Sequence, residues 1–516
     1  MSTVTAPPPT LIPVLIIGAG PTGACAALEL ARHGTPSVVI DRWEGVYPQP
    51  RAVHLDDEVL RILDRLGVAE RFAAISRPGG GLRMVDADLR VLGEFPREGV
   101  SPVTGFTRAS MFDQPDLEGL LRDRLAETPE VTLLGGREVT AIEQLDQGRV
   151  RVHARATDTG EEQVVDAEVL LGCDGANSLV RRSIGSTMTD LGFEQRWLVV
   201  DIRTSEDLRQ WEGVHQVCDS TRAATYMRIG PERYRWEFQL LEHETAADFA
   251  SIAALAPLVA PWTAGVDVST LEVIRSAEYT FRAAIADRWR SGHIFLLGDA
   301  AHLTPPFIGQ GMGAGVRDAS NLGWKVAGFL DGSLPADVLD TYEPERSRHA
   351  RSMIDTARLL GTIMTRGGRA GDTLRAAVVP VLNRTPVVRR RFIDSATPPL
   401  AGSSLVAARR GDRLAGHLCP NTVDGHRVVD DLIGPGWALV TAAAPSPTDR
   451  RELEARGCAV VETTARPELA AWLREGRTTA AVVRPDRTTV ASGREVSALV
   501  ALLVTLITPT SAGVSA

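Results

Sequence analysis

The sequence has almost no lysine: of its 56 basic residues one is Lys325 and the rest are arginines. We attribute that bias to GC-rich coding, as in a high-GC bacterium, rather than to function. Cysteine is scarce and unpatterned. Cys25, Cys173, Cys218, Cys419 and Cys458 are odd in number, far apart and never spaced Cys-x-x-Cys, which implies neither a disulfide framework nor a zinc site and fits a reducing cytoplasm. No metal is expected. Long apolar runs are missing as well: residues 496–507 are too few to cross a bilayer, and the start of the chain lacks the positive charge of a signal peptide. A net charge of -9 argues against nonspecific nucleic-acid binding, and the arginines at 389–391 are too few for an anionic-lipid patch. HExxH, GxSxG and a Walker lysine loop are all absent, so hydrolase and NTPase readings have no support.

What is present describes a globular chain. Its 516 residues, 44% hydrophobic and 23% charged, suffice for roughly three domains with large buried cores. Residues 13–17 are a β-branched run ending in Gly18-Ala19-Gly20-Pro21-Thr22-Gly23, and residues 24–32 then read as a helix stopped by Gly34. A second strand, residues 37–40, ends at Asp41, where a dinucleotide-binding fold places its ribose-binding acid. Gly18 permits the tight turn, Gly20 lets the chain approach a pyrophosphate, and Gly23 lets helix and strand pack closely. The helix N-terminus offers free N–H groups to the phosphates. Such a cradle serves NAD and FAD alike.

Two further strand ends carry motifs. Residues 168–173 run into Asp174-Gly175-Ala176-Asn177-Ser178 and Val180-Arg181-Arg182. Residues 293–297 run into Gly298-Asp299-Ala300-Ala301-His302, then Pro305-Pro306, then Gly309-Gln310-Gly311-Met312-Gly313 and a long helix bearing Asp318, Asn321, Trp324 and Lys325. This ordered set resembles the flavoprotein aromatic hydroxylases, single-component group A monooxygenases that use FAD and NAD(P)H. Residues 50–58 (Pro-Arg-Ala-Val-His-Leu-Asp-Asp-Glu) and Arg235-Trp236-Glu237-Phe238 are similar to the 3-(3-hydroxyphenyl)propionate hydroxylases and related polyketide-tailoring hydroxylases. The resemblance covers residues 13–395. Gly313 departs from it: many members have Asn there, so a side-chain contact to the flavin pyrimidine would be missing.

The resemblance implies an α/β fold. A Rossmann-like FAD-binding domain of the p-hydroxybenzoate hydroxylase (GR2) type would span residues 1–185 and 285–345, with a β-sheet substrate domain at 186–284 that part of 76–105 joins. A helical connector at 346–396 and a thioredoxin-like C-terminal domain at 403–516 would follow. FAD would be held by Gly18, Gly20, Pro21, Thr22, Gly23, Asp41, Arg42, Arg51, Gln114, Asp174, Gly175, Gly298, Asp299, Pro306, Gly309, Gln310, Gly311, Met312 and Gly313. Asp299 would accept hydrogen bonds from the ribitol hydroxyls, and the 309–312 loop would set a helix N-terminus at the pyrimidine, where reduction places negative charge. Arg51 would meet the pyrophosphate or the nicotinamide cofactor's phosphates, and Asp174 would serve both nucleotides. NAD(P)H and O2 are the implied co-substrates, with oxygen added at the flavin C4a carbon and transferred to a small phenolic substrate. Neither nucleic acid nor membrane is an expected partner, and the chain would be a monomer or homodimer.

These motifs assign no catalytic residue. His302 and His54 are candidates for proton transfer near the ring, with ordinary hydrogen-bonded histidines as the alternative. Residues 225–229, a Gly230-Pro231 turn and residues 233–241 read as a hairpin. Tyr234, Trp236, Phe238 and Leu240 alternate there with Arg233, Arg235, Glu237 and Gln239, so one face is aromatic. In the family this sheet roofs the substrate pocket, which makes Trp236, Tyr226 and Arg228 candidates for substrate contact, against plain sheet packing. Gly309-x-Gly311-x-x-Ala314 also fits a dinucleotide fingerprint, but one helix runs on to Phe329 without a βαβ unit. A helical stretch over 343–392 and a linker from 397 lead to strands at 436–441, 458–462 and 478–484 and helices at 449–456 and from 493, a small α/β layer. With no resolving cysteine near Cys419 or Cys458, its expected role is structural, including a dimer contact. The missing Trp-x-Trp-x-Ile-Pro motif disfavours a flavin halogenase. The rivals are Baeyer–Villiger or other flavin oxygenation of a polyketide, a flavin dehydrogenase or saturase, and a flavin-binding protein without catalysis.

Overall fold

The three motif-bearing strand ends lie level in one sheet. The computed structural model describes residues 11–48, 51–383, 385, 397–406, 411–423 and 426–508; Pro50, the arginines at 389–391 and the far end of the expected helical stretch fall outside them. The strand Leu11–Ile17 pairs in parallel with Ser37–Ile40 and with Glu162–Gly172, which pairs in turn with Ile294–Leu296. The register Ile40 to Ile17 to Gly172 to Leu296 aligns their C-terminal ends. Parallel strands are covered on both faces, which is why Val14, Leu15 and Ile16 are consecutive and fully buried. The helix Pro21–Arg32 starts with Pro21 in its first turn, where no N–H is missed, and packs beside the helix Gly311–Leu330. No βαβ unit follows Gly311–Leu330; the next long element is the helix Tyr342–Thr365.

A second sheet runs in the order His302–Leu303, Glu272–Ala286, Met188–Arg203, Arg233–Gln239, Ala224–Arg228, Val214–Val217, Gly81–Val85, Val91–Pro96. The hairpin forms as Ala224–Arg228 against Arg233–Gln239. Alternation divides its faces. Tyr226, Tyr234, Trp236 and Phe238 are at most 2% exposed and cluster with Leu255, Val259 and Trp262 beneath the helix Ile252–Val259. The opposite face carries Arg235 and Glu237.

Two helices, Tyr342–Thr365 and Gly368–Asn383, stand where one stretch was expected, because Gly367 and Gly368 take positive φ (106° and 56°) and end the first. The C-terminal layer is a four-stranded sheet in the order Ala459–Glu462, Ala438–Thr441, Ala480–Val483, Thr489–Gly493. The helices Pro447–Glu454, Pro467–Glu475 and Val496–Leu506 flank it. Two of these elements are additions to the sequence reading: the helix Pro467–Glu475, and the strand Thr489–Gly493, whose last residue displaces the final helix start to Val496.

Buried charges lock this layer to the helices Asp57–Arg65, Gly311–Leu330 and Tyr342–Thr365. Asp430 pairs with Arg61 at 2.7 Å and with Arg487 at 2.7 Å, while Glu345 receives Arg484 and Lys325, each at 2.9 Å. The chain's one lysine is therefore fully enclosed, and Trp324 meets Trp437 edge-on at 5.4 Å beside it. Among the described residues no helix is long and apolar enough to cross a membrane, and no cluster of His, Cys, Asp or Glu could hold a metal ion.

Candidate active site

The glycines of the first motif divide into packers and an opening. Gly18 has a φ of 101°, and a Cβ on it would stand 2.3 Å from the Cys173 carbonyl oxygen; one on Gly23 would stand 1.9 Å from the Gly18 oxygen. Both close the turn and neither lines a cavity. Gly20 meets nothing within 4 Å, so its missing side chain leaves space beside the N-terminus of Pro21–Arg32, whose first turn has no side-chain cap. Asp41 ties this turn together, accepting from the Ala19 N–H at 2.6 Å and the Trp43 N–H at 2.7 Å. Neither it nor Arg42, which lies 5.5 Å from the Trp43 ring centre, lines the cavity.

That space is one end of a cavity of 1140 Å³. From Gly20, Pro21 and Thr22 it passes Arg51, Gln114, Gly175 and Asp299, then Pro306, Gly309, Gly311 and Met312 at the start of the second long helix. It ends under the second sheet. Asp299 is exposed to the cavity, and its side chain has no hydrogen-bond partner among the described residues. Burial raises its pKa, with His302 and Arg51 opposing. Gln114 holds the cavity's rim, accepting from the Ala52 N–H at 2.5 Å and donating to Glu118 at 2.6 Å. His54 lies against Gly309, Nδ1 to carbonyl oxygen 3.5 Å; burial and Arg97 lower its pKa to about 4, so the ring is neutral near pH 7. Gly298, Gln310 and Gly313 stay outside the lining. Gln310 accepts from Arg317, and a Cβ on Gly313 would press on Arg317 Nη1 at 2.9 Å and Val59 at 3.0 Å, so packing explains the departure from Asn there.

Several expected site residues have framework roles instead. His302 is fully buried, its Nε2 2.7 Å from Asp318, which also receives Arg346. Trp236 and Tyr226 lie on the dry face of the sheet, away from the cavity: the larger apolar area went to the face that a helix covers. Arg228 pairs with Glu212 at 2.9 Å and bonds the Pro231 carbonyl at 2.6 Å. Asp174 is turned inward, accepting from Ser178 Oγ at 2.5 Å and from the Leu179 and Val180 N–H groups at 2.6 and 3.1 Å, so its carboxylate caps the helix Leu179–Ser183. The neighbouring Gly175, Ala176 and Asn177 line the cavity.

The sheet's polar face, which motif reasoning passed over, forms the far wall. Arg235 clasps Asp201 at 2.7 and 3.1 Å and donates to the Arg51 carbonyl at 2.8 Å. Thr225 donates to Gln216, whose amide donates to the Phe307 carbonyl. Phe281, Phe307, Leu82 and Leu360 make the apolar side. The available signal was the alternation itself: charged residues opposite an aromatic face, on a strand buried on both sides, need a polar interior volume to face.

An open glycine flank, two uncapped helix N-termini and an unpartnered carboxylate at a strand end fit a bound dinucleotide with polar linker hydroxyls. Residues 12–357 match the family described as FAD binding domain. The chain belongs to this FAD-binding family. The flavoprotein is 32% identical over 460 residues to a 3-(3-hydroxy-phenyl)propionate/3-hydroxycinnamic acid hydroxylase of Burkholderia cenocepacia (strain HI2424), covering 87% of this chain and 83% of that one. It is 35% identical over 437 residues to a probable NADH-specific resorcinol 4-hydroxylase of Rhodococcus jostii (strain RHA1), covering 84% and 79%. Its fold is that of aklavinone-11 hydroxylase, solved with FAD and aklavinone, at a TM-score of 0.79, 23% identity and coverage of 95% and 98%. The rebeccamycin biosynthetic enzyme RebC is alike at a TM-score of 0.77, 24% identity and the same coverage. FAD is the cofactor of this hydroxylase-type enzyme.

Proposed function

We propose that this enzyme is an NAD(P)H-consuming monooxygenase that hydroxylates a phenolic ring, hydroxyphenylpropionate-like or polyketide-derived. One observation carries the reading: a single cavity joins the nucleotide cradle to a chamber with one apolar and one polar wall, so a ring held in the chamber would lie against a flavin held in the cradle. The relatives' names supply the substrate class. Bound FAD, reduced by NAD(P)H, supplies activation of dioxygen and transfer of one oxygen atom. The chain's tasks are to bind, orient and keep water out. The Pro21–Arg32 N-terminus and the open flank of Gly20 would take the pyrophosphate, Asp299 the ribitol hydroxyls, and the N-terminus of Gly311–Leu330 the pyrimidine edge. Phe281 and Phe307, packed edge-to-face with centres 6.4 Å apart, would form the apolar wall against which the ring lies in a dry site. We assign residues 186–284, joined by the strands Gly81–Val85 and Val91–Pro96, as the substrate-binding sheet domain.

The test is to follow NAD(P)H consumption and product mass with 3-(3-hydroxyphenyl)propionate, resorcinol and a polycyclic phenol. A phenol should gain one oxygen atom, and its methyl ether should react far more slowly. Peroxide release from phenols together with conversion of a cyclic ketone to an ester would overturn hydroxylation in favour of Baeyer–Villiger insertion.

A further inference from the structure

We propose that Glu237 is the catalytic residue on the chamber wall that engages the substrate's ring hydroxyl, accepting its hydrogen bond and then its proton. The inference rests on the hydroxylase reading and adds to it a named acceptor. Strand register places Glu237 between Val199 and Thr225 on the face that lines the cavity. The residue is 8% exposed, and no hydrogen bond or ion pair reaches its side chain from the described residues. The groups that could have paired with it are committed elsewhere: Arg235 to Asp201 and the Arg51 carbonyl, Thr225 to Gln216. A buried carboxylate without a donor is costly, so a native site that keeps one is built for a donor that arrives later.

The electrostatics agree with the geometry. Burial pushes Glu237 up to about 7, with Arg235 on its own strand and Arg275 two strands away pulling it down and Asp201 on the adjacent strand pushing it up; Thr225, on the other neighbouring strand, is uncharged. A base with a pKa near 7 accepts a proton far better than an ordinary carboxylate at about 4.3, against a phenol at about 10. In the transfer the phenol O–H bond breaks and an Oε–H bond forms. The negative charge moves to the ring oxygen, which makes the ring electron-rich for attack on an electrophilic oxygen. No oxidant is consumed in that step.

Two readouts test the proposal on the FAD-loaded enzyme. The first is calorimetric binding of 3-(3-hydroxyphenyl)propionate and of its O-methyl ether, without NAD(P)H. The wild type should prefer the phenol by about tenfold, and Glu237→Leu should erase that preference; a preference that survives in the variant, or is absent from the wild type, overturns the proposal. The second is the pH profile of kcat/KM for hydroxylation. Glu237→Gln should cost about a hundredfold or more and remove the limb near pH 7, with Glu237→Asp restoring the limb; a wild-type rate and profile in Glu237→Gln overturns it. FAD content and melting temperature establish that each variant is folded. Should phenols give no oxygenated product in the wild type, the hydroxylase reading falls, while the binding comparison still decides the role of Glu237.

Discussion

Asp299 and Asp174 are both acids at strand ends next to glycine, and their surroundings give them different work. Asp299 opens onto the cavity with no donor among the described residues, so it is available to ligand hydroxyls. Asp299→Ala should weaken FAD binding by about 1 kcal/mol for each hydrogen bond lost, roughly fivefold in Kd, read by titrating apoprotein with FAD; an unchanged Kd would remove the residue from the site. Asp174 has both oxygens satisfied by its own helix start. Asp174→Ala should therefore lower stability by about 1 kcal/mol while the reduction rate of bound flavin stays at the wild-type value. Anaerobic stopped-flow reduction and thermal melting separate the two effects, and a slowed reduction at unchanged melting temperature would assign Asp174 to the nucleotides after all. From sequence the two residues look alike, because a motif specifies the residue and the turn but not the donor that reaches the carboxylate.

The strand-turn-helix unit shows the same division within one element. Gly18→Ala would force a Cβ into the Cys173 carbonyl at a φ that alanine avoids, so it should cost several kcal/mol and yield little folded protein. Gly20→Ala has free space and an ordinary φ near −67°, so the fold should survive with an unchanged melting temperature. Its methyl would occupy the opening beside the helix N-terminus, and FAD retention should fall at least tenfold. Equal losses of fold in the two variants would contradict this assignment of packer and opening. In the second sheet the period of two was legible from Arg233 to Gln239, and so was the existence of an aromatic and a polar face. Which face meets the cavity was not. The helix Ile252–Val259 covers the aromatic side, and that placement comes from a segment well downstream of the hairpin.

Across the whole molecule, ion pairs between distant segments hold the C-terminal layer in place. Burial would raise Asp430 and Glu345, but Arg61 and Arg487 hold the first, and Arg484 and Lys325 the second, far below the usual carboxylate range. A folded pKa below the unfolded value of about 4 gives stability that is present above that pH and lost as pH falls below it. The melting temperature should therefore fall steadily as pH drops below about 4, while the pairs themselves stay ionised in the folded protein; a melting temperature that does not change between pH 4 and pH 3 would argue against the clamp. Asp430→Asn should cost roughly 3–5 kcal/mol, since it leaves Arg61 and Arg487 buried without their anion. The dinucleotide cradle, the order of three motifs at three strand ends and the alternation of the second sheet were legible along the chain, because turn geometry and side-chain period are local properties of a few neighbouring residues. It took the packing of the chain to bring the three ends to one cavity, to leave His302, Trp236 and Tyr226 outside it, and to turn Glu237 toward it with no partner among the described residues. Those outcomes depend on which distant segment covers a surface or supplies a donor, and spacing along the chain carries no record of that.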